Sequence, residues 1–242
     1  MVGKNHLKLI KSLHQKKYRN QHQLFFVEGL KAVKELLNSN IDCHTLFVTQ
    51  EHLDQFESYD VLLITESELQ KISALKSANG VLGVFHIPKP DPIQKNDWIL
   101  ALDNIRDPGN LGTIVRLCDW FGIRQIICSE HSVDCFNPKV VQATMGSLAR
   151  VKISYQDLKD FIAQTALPAY GAFMDGESIY SKALPKMGIL VMGNEAKGIS
   201  TGISQMITEK ISIPHYGNMV TESLNVATAT AILLSEIRRE HL

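Results

Sequence analysis

From Trp98 onward the chain alternates apolar strand-like runs with helix-like stretches, and this alternation is its most restrictive feature. Trp98–Leu102, Gln125–Cys128, Val151–Ser154, Ala169–Met174, Gly188–Met192 and Lys210–Ile213 read as strands. Helices are predicted between them near 112–121, 139–147, 156–165 and 200–206, with a long one from Glu222 to about Arg239. Strands separated by helical crossovers form a mostly parallel sheet with helices on both faces, because a parallel connection has to cross back over the sheet. The fold class expected is therefore α/β.

Ile87-Pro88-Lys89-Pro90-Asp91-Pro92 holds three of the eight prolines. Proline interrupts helices and central strands, so the segment reads as a linker. It predicts two domains, 1–92 and 93–242. The first mixes both element types. Lys4–Lys17 is expected to be one basic amphipathic helix, Leu30–Leu37 a second, and Ser67 the cap of a short third through Ile72. Gln23–Val27, Thr45–Thr49, Val61–Thr65 and Val81–His86 are expected strands.

Composition excludes several classes. Lysine plus arginine and aspartate plus glutamate both number 25, so net charge says nothing about a polyanionic partner. The distribution is uneven, however. Residues 1–37 carry eight basic side chains, Lys4, Lys8, Lys11, Lys16, Lys17, Arg19, Lys31 and Lys34, against Glu28 and Glu35. Such a stripe is either a solvated helix face or a collector of nucleic acid; Lys4, Lys8, Lys11, Lys16, Lys17 and Arg19 are the candidate nucleic-acid contacts. Cys43, Cys118, Cys128 and Cys135 form no CxxC pair, and the nine histidines form no HExxH, so free thiols in a reducing cytoplasm and no metal are expected. No apolar run approaches the roughly 20 residues of a membrane span. A nucleophile elbow, a P-loop and a GxGxxG fingerprint are all missing.

Three Gly/Asn/Ser-rich segments follow strands in the second half: 103–116, 192–199 and 213–227. Ligands of parallel sheets bind outside the carboxyl ends of the strands, so three loops on one edge would make one site. Arg116, four residues after Gly112, suits a phosphate through its bidentate fork, or a surface ion pair. Gly193 and Gly198 bracket Asn194 and Glu195; the glutamate would accept from a bound polar group or serve a helix N-terminus. Ser223 and Asn225 stand at the entry of the last helix as caps, and the open question is whether they also face a ligand.

Together these segments resemble the three motifs of the SpoU (TrmH-like) branch of SPOUT methyltransferases: Asn110-x-Gly112-x-x-x-Arg116, Gly193-Asn194-Glu195-Ala196-Lys197-Gly198 and Ser223-Leu224-Asn225-Val226. Phe136-Asn137-Pro138-Lys139 and Thr144-Met145-Gly146-Ser147 are also similar to that family. The first part, around Phe26-Val27-Glu28-Gly29, resembles the L30e-like substrate-binding domain often found upstream of it.

The resemblance implies a C-terminal trefoil knot, a homodimer with the active site near the subunit interface, and S-adenosylmethionine held largely by backbone groups. Here those would come from Met192, Gly193, Asn194, Gly198, Ile213, Leu224 and Val226. It implies methyl transfer to a ribose 2′-hydroxyl of RNA, with ribosomal RNA favoured over transfer RNA. Asn110, Arg116, Glu195, Ser223 and Asn225 are the expected catalytic set. Arg116 is the base in one view of the family; a guanidinium pKa above about 12 favours instead phosphate binding and alkoxide stabilisation. Asn110 would orient Arg116 or the ribose, Glu195 would fix its loop, and Ser223 and Asn225 would position substrate and knot. His215 and Tyr216 depart from the apolar or small residues expected there. The rival readings are a non-catalytic RNA-binding or ribosome-assembly protein of the same fold, and an unrelated small-molecule enzyme.

Overall fold

The structure, a computed structural model, describes residues 3–217 and 223–239. The chain forms two units, Met1–Lys89 with Asp134–Arg150, and Pro90–Val133 with Val151–Leu242. Lys89 and Pro90 fall in different units, and the stretch 134–150, embedded in the second half of the chain, packs with the first unit.

In that unit α1 (Lys4–Leu13) and α2 (Lys16–His22) precede β1 (Leu24–Glu28), α3 (Leu30–Leu37), β2 (Cys43–Val48), β3 (Val61–Leu63), α4 (Glu66–Gln70) and β4 (Val81–His86). The sheet order is β1-β4-β2-β3, antiparallel except for β2 with β3. Every residue of β1 is buried, because strand alternation sends its side chains to two covered faces. Leu24 and Phe26 join Ile10 and Leu13 of α1, with Phe47, Leu82 and Val84. Phe25 meets Phe136, ring centroids 4.6 Å apart. Phe136 opens the helical stretch 138–144, which packs on β1.

Two expectations are corrected here. The single helix Lys4–Lys17 is two helices, broken at His14-Gln15, and the break turns Arg19 inward. Arg19 is 2% exposed. Its Nη1 donates to the Leu13 carbonyl at 2.8 Å, and its Nε and Nη2 donate to Asp134 Oδ2 at 3.1 and 2.5 Å. A buried, paired guanidinium offers nothing to a phosphate, so Arg19 leaves the candidate RNA contacts. The cap of α4 is Thr65, not Ser67. Thr65 Oγ1 accepts from Glu68 N–H, and Glu68 Oε2 accepts from Thr65 N–H, a reciprocal capping box.

The second unit runs β5 (Ile99–Leu102), α5 (Pro108–Trp120) and β6 (Gln125–Cys128). The chain then leaves for α6 (Pro138–Thr144) in the first unit. It returns as β7 (Lys152–Tyr155), α7 (Leu158–Ala163), β8 (Ala169–Ser178), β9 (Ile189–Met192), α8 (Thr201–Ser204), β10 (Glu209–Ser212) and α9 (Val226–Arg239). All pairings in the sheet β10-β8-β9-β5-β6-β7 are parallel. The two central strands, Ile-Leu-Ala-Leu and Ile-Leu-Val-Met, are buried throughout, as expected of a sheet covered on both faces. Ile99, Ala101, Ile189 and Val191 pack with Leu158, Phe161, Ile162 and Ile203 from α7 and α8. Leu100 and Leu190, which alternate to the other face, are buried as well, and α5 and α9 pack on each other. Arg238 anchors the end of α9 through two 2.8 Å bonds to the Asp97 carboxylate and one to the Phe121 carbonyl. The expected helix start at Glu222 lies outside the described residues.

Strand order reverses between β5 and β9: β6 and β7 build outward on one side, β9, β8 and β10 on the other. That switch point opens a crevice at the carboxyl ends of the strands, the usual ligand position in open parallel sheets. The loops after β5 and β9 meet there.

Candidate functional site

Asp103, the first residue past β5, is 5% exposed. Its N–H donates to the Met192 carbonyl at 2.8 Å, and its Oδ2 accepts from Ser200 N–H at 2.7 Å. The loops after β5 and β9 are thereby tied at both ends. Asn104 follows in the left-handed region, φ +61°, which asparagine tolerates better than most residues. Asp107 caps α5 by accepting from Asn110 N–H at 2.8 Å, with Pro108 at the first helical position. Asn110 therefore lies in the first turn of α5, not in the loop before it.

After β9 the chain folds into a tight hairpin. Asn194 and Gly198 exchange backbone bonds of 3.0 and 2.9 Å. Asn194 Oδ1 accepts from the N–H groups of Ala196 and Lys197, both at 3.0 Å, and Gly198 adopts φ +67°. A Cβ on Gly193 would stand 2.2 Å from the Gly198 carbonyl carbon and the Ile199 nitrogen. Both are backbone atoms that cannot swing away, so Gly193→Ala is expected to open the hairpin. The measurable result is a lower thermal unfolding midpoint with the far-ultraviolet dichroism retained; an unchanged midpoint would contradict the close packing of Gly193 on Gly198.

Side-chain amides join the three motifs. Asn225 Nδ2 donates to Asn110 Oδ1 at 2.9 Å, Asn110 Nδ2 to Glu195 Oε1 at 3.0 Å, and Asn194 Nδ2 to Glu195 Oε2 at 3.2 Å. Asn194 Nδ2 also reaches the Asn104 carbonyl at 2.8 Å. Asn225 meanwhile caps α9, its Oδ1 accepting from the N–H groups of Ala227 and Thr228 at 2.9 and 3.3 Å. Residues from three loops thus form one hydrogen-bonded array at one edge of the sheet.

The other expected site residues fall as follows. Arg116 is exposed on α5, and among the described residues nothing forms a hydrogen bond or ion pair with it. Asn110 spends its donor and acceptor on Glu195 and Asn225, not on Arg116. Ser223 is exposed, and the cap role falls to Asn225 alone. Leu224 is 48% exposed, whereas Met192 and Val226 are 2% and 6% exposed, leaving only their backbones to meet a ligand. Ile213 is half-buried. Lys4, Lys8, Lys11, Lys16 and Lys17 are all exposed on α1 and α2. Asp103, Asn104 and Asp107 are the positioning residues that motif reading missed. The Asp-Pro step at 107–108 is a helix-start signal that locates the last of them.

Burial pushes the Cys118 thiol well above the ordinary cysteine range, so it is inert. Among the described residues no group of three His, Cys, Asp or Glu side chains is disposed to hold a metal, and no helix is long and apolar enough to cross a membrane.

Residues 97–235 match the SpoU rRNA methylase family. The chain belongs to that family. Ahead of the SpoU region, residues 4–83 match the MRM3-like substrate binding domain. A relative from Bacillus subtilis, the 23S rRNA (guanosine(2553)-2′-O)-methyltransferase RlmP, is 26% identical over 94% of both chains. Among solved structures, a TrmH-family chain from Porphyromonas gingivalis superposes with a TM-score of 0.91 at 40% identity, over 99% of each chain. An AdoMet-bound rRNA methyltransferase from Sinorhizobium meliloti gives 0.88 at 31%, over 100% of this chain and 97% of that one. In the SpoU chain described here, the array of Glu195, Asn110 and Asn225 lies within the matched region.

Proposed function

We propose that this protein transfers a methyl group from S-adenosylmethionine to a ribose 2′-hydroxyl of ribosomal RNA. The observation that carries this reading is the Glu195–Asn110–Asn225 array, which gathers all three motifs at the switch point of a SpoU sheet. The choice of ribosomal over transfer RNA follows the names of the B. subtilis and S. meliloti relatives.

The residues present fit the cofactor. An adenosyl group needs an apolar slot edged by backbone donors and acceptors. Leu224 leaves nearly half its surface uncovered, Ile213 is half-buried, and the 193–198 hairpin presents backbone at its two glycines. Backbone of Met192, Gly193, Gly198 and Val226 would line the remainder, while the Asn194 side chain is already committed to its own hairpin and to Glu195. When bound, the cofactor supplies a sulfonium-activated methyl group.

This chain's own groups then need only place and activate the ribose oxygen. Holding reactants in line removes up to roughly 7–11 kcal/mol in ideal intramolecular systems. The Arg116 guanidinium would grip the phosphate next to the target ribose and stabilise the oxygen as its proton leaves to solvent, the O–CH3 bond forming as the cofactor's S–CH3 bond breaks. Asn110 is a positioning residue: it fixes Glu195 and the start of α9 rather than touching substrate. Asn225 adds its cap, so the entry of α9 and the motif-two hairpin move as one. Lys4, Lys8, Lys11, Lys16 and Lys17 collect RNA on the first unit, the substrate-binding part of a chain whose catalytic part is 93–242. A C-terminal trefoil knot, a homodimer and a cytoplasmic location complete the proposal.

The test is methyl transfer from labelled S-adenosylmethionine to ribosomal RNA of a source lacking this protein. Transfer to one RNA species supports the reading. Cofactor binding without transfer to any RNA would favour the non-catalytic, RNA-binding alternative.

A further inference from the structure

β2 and β4 pair with Cys43 opposite Phe85 and Thr45 opposite Val84. His44 is therefore the extra residue of a β-bulge, and a bulge re-aims the side chain it carries. The His44 ring centroid lies 5.5 Å from that of His86, edge to face. His6 of α1 sits 5.8 Å from the Phe47 ring and within electrostatic reach of His44. Three elements, far apart in sequence, thus bring three imidazoles onto one surface of the first unit. His44 and His86 are exposed and His6 is half-buried.

The charges around this trio leave it unneutralised. Burial first, then His86 and His6, push His44 below the ordinary histidine range. In sequence, α1 carries Lys4, Lys8 and Lys11 on either side of His6, and Lys89 follows β4 by three residues. On β2, Thr45 Oγ1 bonds His44 Nδ1 at 2.7 Å, and the Cys43 thiol, raised by burial, faces the Val84 carbonyl. Asp42 contributes its backbone carbonyl to His86 N–H. Among the described residues no ion pair joins its carboxylate, or any other, to the three imidazoles. The trio forms no metal-binding group among the described residues. Imidazoles gathered on one surface without a carboxylate partner leave room for an external anion to serve as that partner.

We propose that His6, His44 and His86 form a phosphate subsite of the RNA-binding unit, which holds a backbone phosphate more tightly as the imidazoles protonate. This rests on the reading of the protein as an RNA enzyme. A phosphate raises the imidazole pKa values in the complex above those of the free protein. The added affinity is fully present below the free-protein values and is lost as pH rises through the bound-state values. The exposed lysines of α1 supply a background attraction common to the wild type and the histidine variants.

The experiment measures binding of a labelled single-stranded RNA, about 16 nucleotides long, to the full chain at constant ionic strength from about pH 8 to about pH 6. The wild type is expected to bind about tenfold tighter at the lower pH, the effect of one pKa unit of coupling. The double variant His44→Gln/His86→Gln is expected to keep the affinity at the upper pH and to lose most of the pH dependence. His86→Lys, which fixes a charge, is expected to bind tighter than wild type at the upper pH. Both variants alter exposed side chains, and unchanged thermal midpoints verify folding. A pH-independent wild type, or a double variant with undiminished dependence, overturns the subsite. Methyl transfer at saturating RNA separates this from the functional reading. Transfer with histidine-independent binding removes the subsite alone; histidine-dependent binding without transfer removes the catalytic reading alone.

Discussion

Arg116→Ala is expected to lower turnover by about a thousandfold while S-adenosylmethionine binding stays within about twofold of wild type. Arg116 is exposed on α5 and has no carboxylate partner among the described residues. Its removal therefore costs little stability and leaves the Glu195–Asn110–Asn225 array intact. In the proposed mechanism, what it removes is the charge offered to the substrate phosphate and to the oxygen that becomes negative during transfer. Arg116→Lys should recover little, because an ammonium lacks the planar fork that grips two oxygens. Single-turnover kinetics and cofactor calorimetry on the same preparations check the division. Equal loss of both would mean that Arg116 holds the cofactor fold rather than the reacting RNA.

Asp134→Ala is expected to destabilise the protein by about 3–5 kcal/mol. Arg19 is 2% exposed, and Asp134 is its carboxylate partner at 2.5 Å. Truncating Asp134 strands a buried guanidinium and frees the Phe136 N–H, which donates to Asp134 Oδ1 at 3.0 Å. The double change Arg19→Met/Asp134→Leu should recover most of the loss, since a buried ion pair replaced by apolar groups of similar volume is often neutral. Urea denaturation of the three variants measures both effects. A loss below about 1 kcal/mol for Asp134→Ala would show that water reaches Arg19.

The pair also shows where sequence reading stops. Charge suggested that Arg19 belongs with its lysine neighbours on a solvated helix, but its partner is 115 residues away, beyond any local pattern. The same non-local contact ties the stretch 134–150 to α2 within the first unit. Elements ruled by apolar periodicity were legible to the residue: Leu30–Leu37, Val81–His86 and Gln125–Cys128. β8 extends to Ser178, past its expected end at Met174, because polar Glu177 and Ser178 pair with Ile211 and Ser212 of β10. Backbone pairing there does not need apolar side chains. In the site, the motifs named Asn110, Glu195 and Asn225 but not their mutual bonds, which span 85 and 115 positions. Those bonds commit Asn110 to positioning. The cap could be narrowed to Ser223 or Asn225 from sequence; only the Ala227 and Thr228 N–H directions select Asn225.

The central claim is 2′-O-methylation of ribosomal RNA, and the position of the transferred methyl tests it most directly. Ribosomal RNA from a source lacking this protein, labelled by the purified chain with S-adenosylmethionine, is hydrolysed in alkali and its fragments are analysed. A single alkali-resistant dinucleotide carrying the label on its ribose is the predicted result, because a methylated 2′-oxygen cannot attack the adjoining phosphate. Label on a base, released in an ordinary mononucleotide, would contradict the account.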